Sequence, residues 1–385
     1  MQNAGSELPL RFGILFVLFL AIGLLVINPP SPASVPAVAT STASTAAAAA
    51  SGETSATTTP VAKSTATSSP QSSKKPISEA IKSTSPLVAT NTAERIPKPY
   101  PTAPLPLAAV NDATRAAIVN ILCTTPTGLV RPISGSGVII SPRGVILTNA
   151  HVAQYVLLAE SARVNLECFV RTGSPAHIRW IPRVLYLPPV WIEEHASEIT
   201  TDHPLGTGEH DYALLFIAGS ADDNPLPTDY PYLTADVRRN IGFVDDSVLA
   251  AGYPAEFIGG LAATNDLYSA SSATTIKKLF TFGTNSVDVL SLGGIIVAQS
   301  GSSGGAAVNM WGYLIGLITT TSEGTTTANR DLRAITLSYI NRDITAQTGA
   351  DLQAILNGDP ALETEDFSTR AAPDLVTQLL KILFK

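Results

Sequence analysis

The chain has 385 residues, with 24 Lys and Arg against 31 Asp and Glu, for a net charge of −7. With no basic block, nucleic acid is not an expected partner. Two cysteines, Cys123 and Cys168, with no Cys-x-x-Cys pair, exclude zinc ribbons, thioredoxin-like redox motifs and disulfide-rich scaffolds.

In chain order, residues 1–11 precede an apolar run, Phe12 to Ile27, that carries no charge and is closed by Asn28, Pro29 and Pro30. The run predicts a transmembrane anchor over 12–28. Arg11 flanks it on one side, and no Lys or Arg follows until Lys63. The positive-inside bias then places 1–11 in the cytoplasm and the rest of the chain outside. A cleaved signal peptide is the rival reading, with Ala37, Val38 and Ala39 standing late for a cleavage site. Both readings export the chain beyond residue 28. Residues 29–105 are Ser, Thr, Ala and Pro with scattered Lys. Their apolar content is too low to offset chain entropy, so a disordered linker is expected.

From about Ala108 short Val- and Ile-rich runs alternate with Gly, Pro and Asn turns. They are "AAIVNILC", "SGSGVIIS", "GVILTNA", "RVNLECFV", "RWIPRVLYL" and "DYALLFI". After a polar break at 219–245 the pattern resumes with "DSVLAAGYP", "TIKKLFTFG", "SVDVLS", "GGIIVAQ" and "GYLIGLITTT". Few stretches before residue 332 keep a helical period. This spacing predicts an all-β fold of two small antiparallel barrels, at about 115–225 and 240–332. From residue 333 the period turns helical and ends on Gly349, a C-cap residue. The tail 350–385 closes with "PDLVTQLLKILFK", which puts Leu375, Val376, Leu379, Leu380 and Leu383 on one face. That face is expected to dock onto the barrels or a neighbouring chain. Membrane-surface association has only weak support, from a single flanking Lys.

Three chemically active residues fall at edges of apolar strands. His151 ends "GVILTNAH", after a hairpin turned by Ser141-Pro142-Arg143-Gly144 and before an expected short helical turn. Asp211 stands 60 positions on, at the head of "DYALLFI". A carboxylate there needs a partner, because an unpaired buried charge is costly. Ninety-two positions further comes Ser303, within Gly301-Ser302-Ser303-Gly304-Gly305. A serine hydroxyl becomes a nucleophile beside a base, and that base needs an acceptor to fix its tautomer. The glycines suit an oxyanion hole, where backbone N–H groups must converge on one point. The same five residues also fit a G-x-S-x-G elbow, but that fold needs a histidine after the serine. The last histidine here is His210. The order His, Asp, Ser is that of chymotrypsin-type enzymes, which are double β-barrels.

"GSGVIISPRGVILTNAHV", "HDYALLFI" and "GSSGGAAVNMWGYLIGL" resemble the three signature blocks of trypsin-like serine proteases, closest to the bacterial HtrA-type branch. "DSVLAAGYPAEF" resembles a second-barrel strand and turn of that branch. The resemblance covers about 110–348. It implies a chymotrypsin-like double six-stranded antiparallel β-barrel with C-terminal helices, within a protease domain at 106–349. It implies His151 as general base, Asp211 as its orienter and Ser303 as nucleophile. The N–H groups of Gly301 and Ser303 would form the oxyanion hole. Val297 would lie at the base of the primary pocket, with Thr319, Thr320 and Thr321 as its wall. Val297 is not acidic, so a preference for an apolar side chain is expected over one for Lys or Arg. Ser302 and Ala306 depart from the Asn or Asp and the Pro usual in the branch. The tail is shorter than the PDZ domain typical of HtrA proteins.

The expected activity is thus that of a membrane-anchored, single-pass bacterial serine endopeptidase facing outside, acting on polypeptides in quality control or processing. A catalytically silent binding or scaffold module on the same fold is the alternative. No cofactor and no metal are expected. The insertion carrying Glu193, Glu194, His195, Glu198, Asp202, His203, Glu209 and His210 has neither EF-hand nor zinc spacing. An exported domain permits a disulfide between Cys123 and Cys168; two buried thiols are the alternative. The sequence does not indicate an oligomeric state.

Overall fold

The computed structural model describes residues 88–89, 94–125, 130–201, 206–255, 266–283, 286–321 and 327–385. They fall in one compact unit, Ser78–Lys385. The transmembrane anchor expected at 12–28, and most of the linker, lie outside the described residues. Among the described residues no helix is long and apolar enough to cross a membrane.

The elements in chain order are β1 (Val88–Ala89), α1 (Leu107–Ala117), β2 (Ile118–Thr124), β3 (Ile133–Ile139), β4 (Val145–Thr148) and α2 (Ala150–Ala159). Then come β5 (Glu167–Thr172), β6 (His177–Tyr186), α3 (Pro189–His195), a 3-10 turn (Ala196–Thr200) and β7 (Ala213–Ser220). The second half holds β8 (Ser247–Gly252), β9 (Ala270–Thr275), β10 (Lys278–Thr281), β11 (Val289–Gly293), β12 (Ala306–Asn309), β13 (Leu314–Thr321) and β14 (Leu332–Thr336). Four helices follow: α4 (Leu337–Thr348), α5 (Leu352–Asn357), α6 (Pro360–Arg370) and α7 (Ala372–Leu383).

The first half is a closed antiparallel barrel in the order β2-β3-β4-β7-β6-β5. The hairpin β3–β4 turns at Gly144, whose φ of 80° a side chain would resist. Val119, Ile121, Ile139, Ile146, Val170 and Leu215 fill the interior. Cys123 and Cys168 face each other across β2 and β5 and form a disulfide, with Cα atoms 4.1 Å apart. Closing the 45-residue loop between them stabilises the fold by roughly 4 kcal/mol in the chain-entropy description.

The second half departs from the expected six-stranded barrel. It is an eight-stranded sheet in the order β1-β10-β11-β14-β13-β12-β8-β9, and no ladder closes it among the described residues. The sheet nevertheless curls. Only Ile276 and Lys277 separate β9 from β10, and Thr274 Oγ1 on β9 donates to the Leu292 carbonyl of β11 at 3.1 Å. The outer strand β1 pairs with β10 on the side that closure would need.

Three other expectations need revision. Helices α1 and α3 lie in the stretch read as strands and turns, and the short helical turn expected at His151 extends to ten residues in α2. Residues 333–336 belong to β14, not to the helix. Thr336 is the N-cap, accepting from Tyr339 N, so the helix starts at Leu337; it ends on Gly349 as expected, at φ 79°. The linker does not stay loose to residue 105. Tyr100 stacks on Trp311 and Tyr313, at 4.8 and 4.9 Å. Its hydroxyl donates to Asp236 at 2.6 Å, and Leu105 N donates to the Met310 carbonyl. One aromatic anchor orders a segment whose composition alone lacks the apolar surface to fold.

The tail docks on the barrel. Leu375, Leu379 and Leu380 of α7 join the core of the first barrel, together with Phe367 of α6. The amphipathic stripe is therefore covered by this chain itself.

Candidate active site

The site lies where the first barrel meets the second sheet. His151 stands in the first turn of α2, directly after β4. Asp211 precedes β7, which pairs with β4, so two adjacent strands deliver both residues to one end of the barrel. Asp211 is buried, and its carboxylate is fully engaged. Oδ2 lies 2.8 Å from His151 Nδ1, and Oδ1 accepts from the His151 backbone N–H at 3.0 Å. Thr319 Oγ1 on β13 donates to Oδ2 at 2.6 Å. Asn149 Nδ2 donates to the Asp211 carbonyl at 2.8 Å.

Burial alone would raise the Asp211 pKa. The His151 charge, its two hydrogen bonds and that of Thr319 outweigh burial and hold it below the ordinary carboxylate value. Burial alone would lower His151. The Asp211 charge and hydrogen bond overcome it and raise His151 above its ordinary value of 6.5. A carboxylate on Nδ1 leaves Nε2 as the nitrogen able to accept a proton.

Ser303 is half-buried, and its hydroxyl donates to the Thr319 carbonyl at 3.3 Å. Thr319 thus joins Ser303 through its carbonyl and Asp211 through its hydroxyl. The Ser303 oxygen is not hydrogen-bonded to His151; such contacts are often loose before substrate arrives.

The small residues around Ser303 are demanded by contact. A Cβ on Gly304 would stand 1.9 Å from the Ser136 carbonyl oxygen, and φ there is 86°. On Gly301, at φ 94°, it would stand 2.7 Å from the Tyr253 carbonyl oxygen. Among the described residues, neither Gly301 N–H nor Ser303 N–H donates to a protein acceptor. Their orientation is nonetheless fixed. The Ser300 carbonyl accepts from Ala255 N at 2.8 Å, and the Ser302 carbonyl accepts from Gly305 N at 2.9 Å. In a planar trans peptide that aims the following N–H the opposite way.

Residues 135–317 match the trypsin-like peptidase domain family. Over that stretch the chain is similar to trypsin-like peptidase domains. The match runs from β3 to β13 and takes in His151, Asp211 and Ser303. The crystal structure of the serine endoprotease from Yersinia pestis is similar at 22% identity, with a TM-score of 0.40, over 64% of this chain and 69% of that one. A likeness that loose adds nothing to the family match. No curated protein matches the chain significantly.

The residues expected to shape the peptidase domain's primary pocket are less uniform. Val297 is wholly buried in the core of the second sheet, with Leu292, Ile318 and Leu332. Thr319 is buried and spent on Asp211. The backbone of Thr320 and Thr321 continues β13, while their side chains fall outside the described residues. β12 begins at Ala306, opposite Leu317, so the 319–321 segment runs past its neighbour on that side. The acidic insertion is spread over α3, the following turn, where His195 Nδ1 and Glu198 sit 2.9 Å apart, and the loop before β7, where His210 Nδ1 lies 2.9 Å from Asp343. Asp202 and His203 lie outside the described residues. Among the described residues no cluster of three metal-ligating side chains occurs.

The sequence reading missed Asn149 and Ser136. Both stand inside the signature blocks, next to residues that drew attention for their own chemistry. Their backbone-directed hydrogen bonds leave no signal in a single sequence.

Proposed function

We propose that this peptidase domain is a serine endopeptidase in which Ser303 attacks the peptide carbonyl. His151 takes the Ser303 proton and later returns it to the leaving amine. Asp211 holds the imidazole in the tautomer that keeps Nε2 available and stabilises the imidazolium that forms. The N–H groups of Gly301 and Ser303 receive the negative charge on the tetrahedral intermediate. The observation that carries the reading is the saturated Asp211 carboxylate, bonded to His151 on one side and on the other to Thr319, whose carbonyl holds the Ser303 hydroxyl. Substrate backbone adds along Thr319–Thr321, beyond the start of β12, with an apolar side chain preferred in the primary pocket.

The test is labelling with a fluorophosphonate probe, which needs an activated serine. Wild type should label and Ser303→Ala should not. A wild type that folds and stays unlabelled would favour the silent binding module instead.

The proposed setting is the outer face of the cytoplasmic membrane of a bacterium, tethered by residues 12–28. The charge-free run with Arg11 before it supports this, as does a cysteine pair bridged in the manner of exported proteins. Protease added to intact spheroplasts should digest the tether and release the domain. A domain shielded until the membrane is broken would reverse the orientation.

The pH profile carries a sign. The base must be neutral, and the native environment raises His151. The acidic limb of kcat/KM should therefore fall above the ordinary histidine value of about 6.5. Asp211→Asn removes the charge that raises it and leaves burial, which lowers it. The limb should move to lower pH while the rate drops by about 10⁴. A limb that stays in place would separate His151 from the titration.

A further inference from the structure

Ser136 lies in the middle of β3, with none of its surface exposed. It belongs to the first barrel, yet its hydrogen bonds run into the second half. Its N–H donates to the Ser303 carbonyl at 2.7 Å. Its hydroxyl donates to the Gly301 carbonyl at 2.7 Å and accepts from Tyr253 N at 2.8 Å. Its own carbonyl accepts from Thr148 Oγ1 at 2.7 Å. One residue therefore holds a carbonyl on each side of Ser302 and ties the loop to the end of β8.

The hydroxyl bond matters because of what stands at 301. Glycine rotates through positive φ at little cost, so nothing intrinsic holds the Gly301 peptide at 94°. Ala255 N fixes the carbonyl before Gly301, and the Ser136 hydroxyl fixes the carbonyl after it. Between two anchored planes the Gly301 N–H cannot swing. Without the hydroxyl, the Gly301 carbonyl and the Tyr253 N–H lose a buried partner together, and the 301–302 peptide is left with one longer bond, from Ser302 N to the Gln299 carbonyl at 3.1 Å, so the loop regains part of the rotation that turns the N–H away.

We propose that Ser136 is a positioning residue of the peptidase, its hydroxyl holding the Gly301 peptide so that the oxyanion hole stays formed between substrate molecules. The proposal rests on the serine-peptidase reading above. It adds a residue from the first barrel to a structure otherwise built by the 301–305 loop.

The test is Ser136→Ala in the full chain, assayed on a peptide substrate and with two ligands. One is a peptide boronic acid, which bonds to the Ser303 oxygen and becomes tetrahedral. The other is a cleavage-product peptide, which binds without that change. Loss of one oxyanion donor is worth about 10²–10³ in kcat, so a donor left misaligned part of the time should cost about 10–100-fold. KM should stay within about twofold, since the contact serves the transition state. Boronate affinity should fall in parallel with kcat, and product affinity should hold. Equal losses for both ligands would mean general damage to the site and overturn the proposal. So would wild-type kcat. If Ser136→Ala does not fold, Ser136→Cys, which keeps a weak donor of similar volume, is read by the same ratio of boronate to product affinity. A wild type inactive towards both substrate and probe would instead sink the serine-peptidase reading.

Discussion

Ser303→Ala is expected to lower kcat for peptide hydrolysis by about 10⁶-fold, the scale seen when a triad nucleophile is removed. The fold should be unaffected. The Ser303 hydroxyl is half-buried and makes one long hydrogen bond, to the Thr319 carbonyl. Losing it should change stability by less than about 1 kcal/mol. The neighbouring serine is the control. Among the described residues the buried Ser302 hydroxyl has no hydrogen-bond partner. Ser302→Ala removes an unsatisfied polar group and should leave stability unchanged or slightly raised, with hydrolysis retained. Kinetics on a fluorogenic peptide, with urea midpoints for both variants, decide the matter. Activity lost in Ser302→Ala and kept in Ser303→Ala would shift the assignment of the loop by one residue.

Gly304→Ala should have the second largest effect, through shape rather than chemistry. The new Cβ meets the Ser136 carbonyl oxygen at 1.9 Å and Thr148 Oγ1 at 2.6 Å. Ser136 sits in the β2–β3 ladder opposite Asn120 and cannot yield without breaking the barrel wall. The residue must also hold φ near 86°. Left-handed strain of about 1–2 kcal/mol adds to overpacking of about 1–3 kcal/mol. The expected result is a lower urea midpoint and at least a 100-fold loss of kcat, about the worth of one oxyanion contact. Gly349→Ala separates the two contributions. Its φ is 79°, but nothing lies within 4 Å of the added carbon. It should lose about 1 kcal/mol with unchanged kinetics. If Gly304→Ala behaved like Gly349→Ala, the contact with Ser136 would have no functional weight.

These variants also show which parts of the fold a sequence can reveal. His151, Asp211 and Ser303 stand out because each interrupts an apolar strand with a group that needs a chemical reason to be there. The alternation of strands and turns likewise marks the first barrel. The length of α2 escaped for the opposite reason. Val152, Ala153, Tyr155, Val156, Leu157 and Leu158 are all buried, so the helix has no polar face and no period of its own. The β14–α4 junction was blurred because "LRAIT" suits either state, and only the Thr336 side chain capping Tyr339 N marks the change. Tyr100 was hidden within a Pro-rich segment. Its value comes from Trp311 and Tyr313, more than 200 positions away. Curling of the second sheet is likewise a tertiary outcome that strand spacing leaves open.

The two ends of the described chain are exchanged between its halves. The early segment around Tyr100 lies against Asp236, Trp311 and Tyr313 of the second half. The last helix, α7, completes the core of the first barrel. During synthesis the first barrel emerges long before the helix that seals it. The order in which the chain leaves the ribosome is thus not the order in which its cores are finished. A cut between the halves would leave each missing a piece carried by the other. The closed barrel and the eight-stranded sheet each depend on a segment from the far end of the chain. His151 and Asp211 stand on one half and Ser303 on the other, so the three come together only when the whole lacing is closed.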